Sequence, residues 1–468
     1  MLFNSYIFLF GFLPILLGVY YGILRTIKAR NAWLTVMSYI FYGWWNPLFC
    51  LLMMASTASD YIIGKHLYQA TTEKRRKLLM TLTIIVNLSV LGFFKYYNFF
   101  AISLNSLFVW LHLPTYAPIL TNLILPVGIS FYTFESLSYT IDIYRREVKP
   151  AHNIVDFFCF ISLFPHLIAG PIMRYVDLDR QLKEREHSEG KFAVGIIFFV
   201  TGLLKKLVIA DNVAPLADAL FNSKVSTTII DAWLGSIAYT MQIYFDFSAY
   251  SDMAVGLGLM IGFEIIQNFN SPYQSTSIQD FWRRWHISLS SWLRDYLYVP
   301  LGGNRKGKRR TYVNLILVML LGGLWHGAGW TFIIWGLYHG VLQAIERAMG
   351  DKHPLKKLPM WGQRIATFLL VLIGWVFFRA TDFTIAFRIL GNMVGYTGQN
   401  SAIPLHLARP IGLLFLVFAT VISMTYPNLW TQPVRLNMRT ALVYGGGFVV
   451  SIILIMTRQN SPFLYFQF

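Results

Sequence analysis

From Tyr96 to Phe134 the chain runs thirty-nine residues without a Lys, Arg, Asp or Glu, and from Tyr312 to Ile345 it runs thirty-four. About twenty apolar residues are enough to carry a helix across a bilayer. Ser5–Leu24, Ala32–Ser59, Pro410–Val434 and Thr440–Thr457 are four more charge-free stretches of eighteen to twenty-eight residues. Shorter runs at Leu78–Phe94, Phe157–Met173, Phe192–Leu204, Ala232–Phe245, Met253–Phe263 and Ile365–Phe378 either cross with help from their flanks or enter and turn back. The pattern predicts an all-α, polytopic membrane protein with about ten to twelve transmembrane or re-entrant helices. Ser5–Leu24 reads as the first of these helices rather than a secretory signal, because it has no basic start and no small-residue cleavage site before Arg25.

Composition removes the other classes. Only 13% of residues are charged, against about a quarter in soluble domains, and 56% hydrophobic content is incompatible with disorder. Two cysteines, Cys50 and Cys159, lie in apolar runs without CxxC or Cys/His spacing, so neither a disulfide framework nor a metal site is expected and both thiols read as buried and inert. The net charge of +17 would suggest nucleic acid in a soluble domain. Here the basic residues cluster between apolar runs, at Arg25–Arg30, Lys74–Lys77, Arg145–Lys149 and Arg305–Arg310, which is the positive-inside pattern of cytoplasmic loops. The lipid bilayer, not nucleic acid, is the partner this charge implies. A single crossing by Ala32–Ser59 would place the first two clusters on opposite sides, so that run is expected to bend around Trp44-Trp45-Asn46-Pro47, where Pro47 lacks a backbone donor. Arg174–Lys191 is the one long polar interruption and reads as a loop with room for a surface helix.

The residues with chemistry fall mainly between Asp246 and His339. Asp246 and Asp252 sit at the edge of apolar helix, where a carboxylate either pairs within the bundle or lines a polar path. In the stretch from Asp280 to Tyr298, Trp282, Trp285, Leu289 and Trp292 recur at spacings of three and four, predicting one amphipathic helix with an aromatic stripe of the kind that lies in a membrane interface. His286 stands among them, between Arg284 and two serines. The glycines and bases of Gly302–Arg310 could hold topology or cradle phosphates, without matching a P-loop. In Leu321-Gly-Gly-Leu-Trp325-His326-Gly-Ala-Gly-Trp330 small residues on both sides of His326 let another chain or a ligand approach an imidazole suited to taking a proton near neutral pH. His339 reads as structural, and His166 could be either.

These strings carry a resemblance. FWRRWHISLSSWLRDYLYVPLGGNRKG at 281–307, followed by LLGGLWHGAGW at 320–330, is similar to the signature of the bacterial membrane-bound O-acyltransferases, in the branch that acetylates alginate and cellulose. FKYYNFF at 94–100, LPVGISFYTFESLSY at 125–139, FPHLIAGPIMRY at 164–175, YFDFSAYSDMA at 244–254 and the closing SPFLYFQF extend the resemblance over nearly the whole chain. It implies a single membrane domain over residues 1–468, with helices around a central tunnel open to an acyl donor on the cytoplasmic side and to an acceptor outside. The catalytic histidines of the family fall on His326, as general base, and His286, which would orient the donor or assist proton movement. Arg284 and Trp285 are then expected beside the cofactor, and Trp325, Asp246 and Asp252 on the substrate side. The implied donor is acetyl-CoA with no metal. The implied location is the bacterial inner membrane, and the implied partners are periplasmic acetyltransferases of the SGNH type or other polysaccharide-modification proteins. GxSxG is absent, so the chain has no nucleophile elbow of its own.

Two alternatives stand beside this one. A polysaccharide synthase would use the DxD pattern of Asp177-Leu178-Asp179, but its QxxRW motif is missing, since Phe281 holds the glutamine position before Arg284-Trp285. A transporter of polysaccharide precursors or of the acetyl donor would use the same helices with no acyl-transfer chemistry.

Overall fold

The computed structural model describes residues 1–223, 227–396, 410–432, 434–458 and 461–464; the last four residues of the closing SPFLYFQF motif lie outside them. Among the described residues every regular element is helical. Among the described residues six helices are long and apolar enough to cross a membrane: Leu48–Gln69, Glu73–Trp110, Glu189–Phe221, Met360–Arg379, Gly412–Thr431 and Met438–Thr457. The remaining expected crossings are shorter or less apolar. The thirty-nine-residue run from Tyr96 resolves into a helix ending at Trp110 and another starting at Ile129. Pro114, Pro118 and Pro126 fall in the gap and cannot donate to a helical ladder. Ala32–Ser59 breaks where Pro47 predicts, with one helix ending at Gly43 and the next starting at Leu48.

The chain clusters into two compact units, Met1–Phe192 with Gly258–Ile265, and Ala193–Leu257 with Ile266–Phe468. The first is centred on packed rings of Phe3, Phe8, Phe12, Phe41 and Phe164. Several of its buried polar groups are paired. Asn31 donates to Asp156 at 2.6 Å, Asn87 to Asp60 at 2.9 Å, and His166 Nδ1 lies 2.8 Å from Glu135. In the polar interruption a short helix, Tyr175–Lys183, does form. The two carboxylates of the DxD pattern secure that helix: Asp177 accepts from the Arg174 backbone N–H, and Asp179 accepts from the Tyr175 hydroxyl and pairs with Lys183. Cys50 and Cys159 are buried free thiols.

In the second unit the helices Gly307–His326 and Trp330–Met349 cross at backbone distance. A Cβ on Gly323 would run into the Phe332 carbonyl oxygen, one on Gly336 into the Met319 carbonyl oxygen, and one on Gly340 would come within 2.8 Å of the Ile316 Cα. Gly336 and Gly340 form the small-xxx-small pattern that lets membrane helices approach closely, where packing rather than water drives association. Gly336→Val is therefore expected to force the pair apart and destabilise the fold by about 1–3 kcal/mol or more. Thermal unfolding in detergent reads this out, with Gly446→Val as control because a Cβ there meets nothing within 4 Å. Equal midpoints for the two variants would show that the crossing tolerates bulk.

Candidate active site

The stretch holding His286 is not one helix. Ile278–Arg284 is helical, the chain breaks at Trp285–His286, where His286 takes φ 44°, and Ile287–Leu293 is helical again. The physical cause is an extended segment that pairs with the break from elsewhere in the chain. Asn270 N–H donates to the Arg284 carbonyl, and Ile287 N–H donates to the Asn268 carbonyl, both at 2.9 Å. Asn268 Oδ1 also accepts from Ser288 Oγ at 2.9 Å and from Ser288 N–H at 3.2 Å, and lies 3.1 Å from His286 Nδ1. The expected aromatic stripe is buried within the protein, so it is interior packing rather than an interfacial face.

Asn268 also sets the tautomer of His286. Its amide nitrogen donates to Ser251 Oγ at 3.2 Å, which turns Oδ1 toward the ring. Nδ1 then carries the proton, leaving Nε2 as the basic nitrogen. The ring is fully buried, edge-on to Phe247 at 4.8 Å, an enclosure that disfavours charge. Asn268→Ala is expected to release this orientation and lower turnover roughly a hundredfold, as a misplacement of about 1 Å can do. Unchanged turnover in folded Asn268→Ala would remove the anchoring role.

His326 closes its helix, and Gly327 follows because a Cβ there would overlap the Phe332 ring. The His326 ring lies edge-on to Trp335 and Phe378 at 5.2 Å each, and to Trp325 at 5.0 Å. His326 is the last residue of the twenty-residue helix Gly307–His326. The rings of His286 and His326 are 6.2 Å apart between centroids, and Trp325 faces both. Two buried histidines thus stand as ring neighbours in unlike settings.

The other expected residues are placed as follows. Asp252 pairs with Lys205 at 2.6 Å, and Asp246 with Lys206 at 2.7 Å. Lys206 also holds Asp211 at 2.9 Å, and Asp246 Oδ2 accepts from Leu464 N–H at 2.8 Å. Both aspartates are therefore members of buried ion pairs. Trp285 stacks on Phe281 and packs 4.8 Å from Trp375. Arg284 pairs with Asp280 and donates to the Asn270 carbonyl. His339 is enclosed by Trp282, Trp335 and Gly374 and accepts from Trp282 Nε1. Arg305–Arg310 are exposed, Arg305 and Lys306 in a turn tied down by Asn314 Nδ2, which donates to the Gly303 carbonyl at 3.0 Å, and Lys308–Arg310 in the first turn of the helix Gly307–His326. The sequence reading passed over Lys205, Lys206 and Asn268. The signal for the lysines was available, since two adjacent cations within an apolar helix require buried anions.

Comparison with known proteins decides what such a pair of histidines belongs to. The profile of the membrane-bound O-acyltransferase family matches residues 36–384. The chain belongs to that family. It is 47% identical to the probable alginate O-acetylase AlgI of Pseudomonas putida over the whole of both chains. It is 48% identical to the protein of the same name from Pseudomonas aeruginosa, covering 93% of this chain and 83% of that one. It is 40% identical to the peptidoglycan O-acetyltransferase of Helicobacter pylori, covering 86% of this chain and 81% of that one. The protein is an integral membrane O-acyltransferase. Both synthase chemistry and transport without chemistry give way to acyl transfer.

Proposed function

We propose that this O-acyltransferase passes acetyl groups from cytoplasmic acetyl-CoA across the bacterial inner membrane for O-acetylation of an exopolysaccharide, alginate or cellulose. The observation that carries the reading is the proximity of the buried His286 and His326 rings, with centroids 6.2 Å apart inside a helical membrane protein. The alginate O-acetylase and peptidoglycan O-acetyltransferase names of its relatives support an acetyl group and a polymer as the end point.

A thioester carbonyl is already activated, so the demand on the protein is to deprotonate the accepting hydroxyl. His326 takes that proton, the oxygen attacks the carbonyl carbon, and the carbon–sulfur bond breaks. The imidazolium then returns the proton to the departing thiolate, leaving an ester and free CoA. His286, neutral and oriented by Asn268, steadies the donor, and Trp325 packs against both rings. Arg284 and Trp285 serve the donor side, while Asp246 and Asp252, tied up in ion pairs with Lys206 and Lys205, hold the fold rather than the acceptor. The immediate acceptor is a periplasmic acetyltransferase of the SGNH type, which places the group on the polymer. The test is purified protein in detergent with acetyl-labelled CoA thioester and that partner. Release of CoA with transfer of label is expected. Intact thioester in the presence of both proteins would remove acetyl-CoA as donor.

A further inference from the structure

The turn between the helices Gly412–Thr431 and Met438–Thr457 borders a cavity of about 940 Å³ that the chemistry above does not use, since neither His286 nor His326 lines it. Its apolar walls come from membrane-crossing helices: Leu204 and Val208 of Glu189–Phe221, and Phe418 and Ile422 of Gly412–Thr431. Arg435 and Arg439, both exposed, line it as well, and no Asp or Glu does. Among the described residues no carboxylate pairs with either arginine. Lys205, the third cation of the lining, is already answered by Asp252 at 2.6 Å. Residues 426–439 hold two arginines and no acid, which by the positive-inside rule puts this turn at the cytoplasmic face, and Tyr426 and Trp430 are aromatics of the kind that settle at headgroup level.

We infer that this cavity holds an anionic phospholipid of the cytoplasmic leaflet, with its phosphate between Arg435 and Arg439 and an acyl chain along Leu204, Val208, Phe418 and Ile422. Helices in a folded protein pack to the density of organic crystals, so a gap of this size between them is room for another molecule. Only 17% and 11% of the apolar stretches of the last two crossings are buried within the protein, so hydrocarbon is their ordinary neighbour. A soluble anion would gain from the arginines alone, whereas a phospholipid gains from the apolar walls too. Guanidinium groups take phosphate oxygens in pairs, and basic pockets between membrane helices recognise acidic headgroups. Gln432, from the same turn, offers an amide to the headgroup hydroxyls. Tyr244 is a buried part of the wall, and its ring lies 6.3 Å from that of Trp285, the residue before His286. The lipid thus fills space one aromatic layer behind the break that carries this histidine.

The test uses the full-length protein in a neutral detergent, with phosphatidylglycerol set against phosphatidylcholine of the same chains. Native mass spectrometry reads binding, and the thermal midpoint reads its effect on the fold. The wild type should prefer phosphatidylglycerol roughly tenfold or more, as two arginines at a headgroup provide, and unfold at a higher temperature with it. Arg435→Gln/Arg439→Gln should bind the two lipids alike and lose that rise, while matching the wild-type midpoint in phosphatidylcholine, because both side chains are exposed. Arg305→Gln/Arg309→Gln removes two exposed charges outside the cavity and should keep the preference. A wild type without preference, or the same preference in Arg435→Gln/Arg439→Gln, overturns the inference. Equal loss in the two double variants also overturns it, by showing that overall charge selects the lipid. Binding of CoA or inorganic pyrophosphate as tightly as phosphatidylglycerol, and dependent on Arg435 and Arg439, shows that the site takes a soluble phosphate, which overturns it as well.

Discussion

His326→Ala is expected to abolish O-acyl transfer while the protein accumulates in the membrane at its normal level. General acid–base groups typically contribute 10²- to 10⁴-fold. The loss should be specific to the transfer step. Donor binding in His326→Ala should stay near normal, because a base is needed only when a hydroxyl attacks. His286→Ala should instead weaken donor binding or turnover even when water accepts the acetyl group. His339→Ala, altering a ring enclosed by Trp282 and Trp335, should affect transfer much less. Calorimetry of acetyl-CoA beside transfer to the partner protein separates these outcomes. If folded His326→Ala loses donor binding as severely as transfer, its assignment as base is wrong.

The largest effect on stability is expected from Lys206→Met. Lys206 Nζ lies 2.7 Å from Asp246 and 2.9 Å from Asp211, and donates to the Pro462 carbonyl at 3.1 Å. Taking the cation away leaves two carboxylates in the interior without their counter-charge, a change that costs about 3–5 kcal/mol. The stretch Ser461–Leu464 should loosen with it, since Lys206 and Asp246 hold it through Ser461 Oγ, the Pro462 carbonyl and Leu464 N–H. Combining Lys206→Met with Asp211→Asn and Asp246→Asn removes the unmatched charges and should restore much of the loss. Unfolding midpoints in one detergent measure both steps. A midpoint unchanged in Lys206→Met would show that these carboxylates do not depend on the lysine.

The parts of the fold that could be read in the sequence are those the bilayer dictates locally. Apolar runs must become helices because lipid offers no partner for backbone N–H and C=O groups. Pro47 marks a break for the same local reason. His286 and His326 could be singled out by their neighbours, but their proximity could not, because it depends on a non-local event. Asn268, eighteen residues before His286 in the chain, opens the predicted amphipathic helix by taking over hydrogen bonds at 286–288. Periodicity alone scored Trp282, Trp285, Leu289 and Trp292 as one stripe and had no means of seeing that competitor. Asp246 and Asp252 were legible as costly groups in need of an answer. Which answer they received depended on Lys205 and Lys206, forty or more residues away.

The glycines at the crossing of Gly307–His326 and Trp330–Met349 have a consequence for handling the protein outside its native solvent. Each glycine within a helix costs about 1 kcal/mol of helix propensity in water. In hydrocarbon that cost shrinks, because unfolding the helix would expose backbone groups to a medium with no hydrogen bonds to give. Gly322, Gly323, Gly336 and Gly340 therefore sit in helices that the surrounding lipid helps to keep wound. Harsh, small-micelle detergents that admit water to the helix backbone should fray this pair early in denaturation, and His326 is carried at its end. The spacing of the His286 and His326 rings is in that sense set jointly by the chain and by the membrane around it.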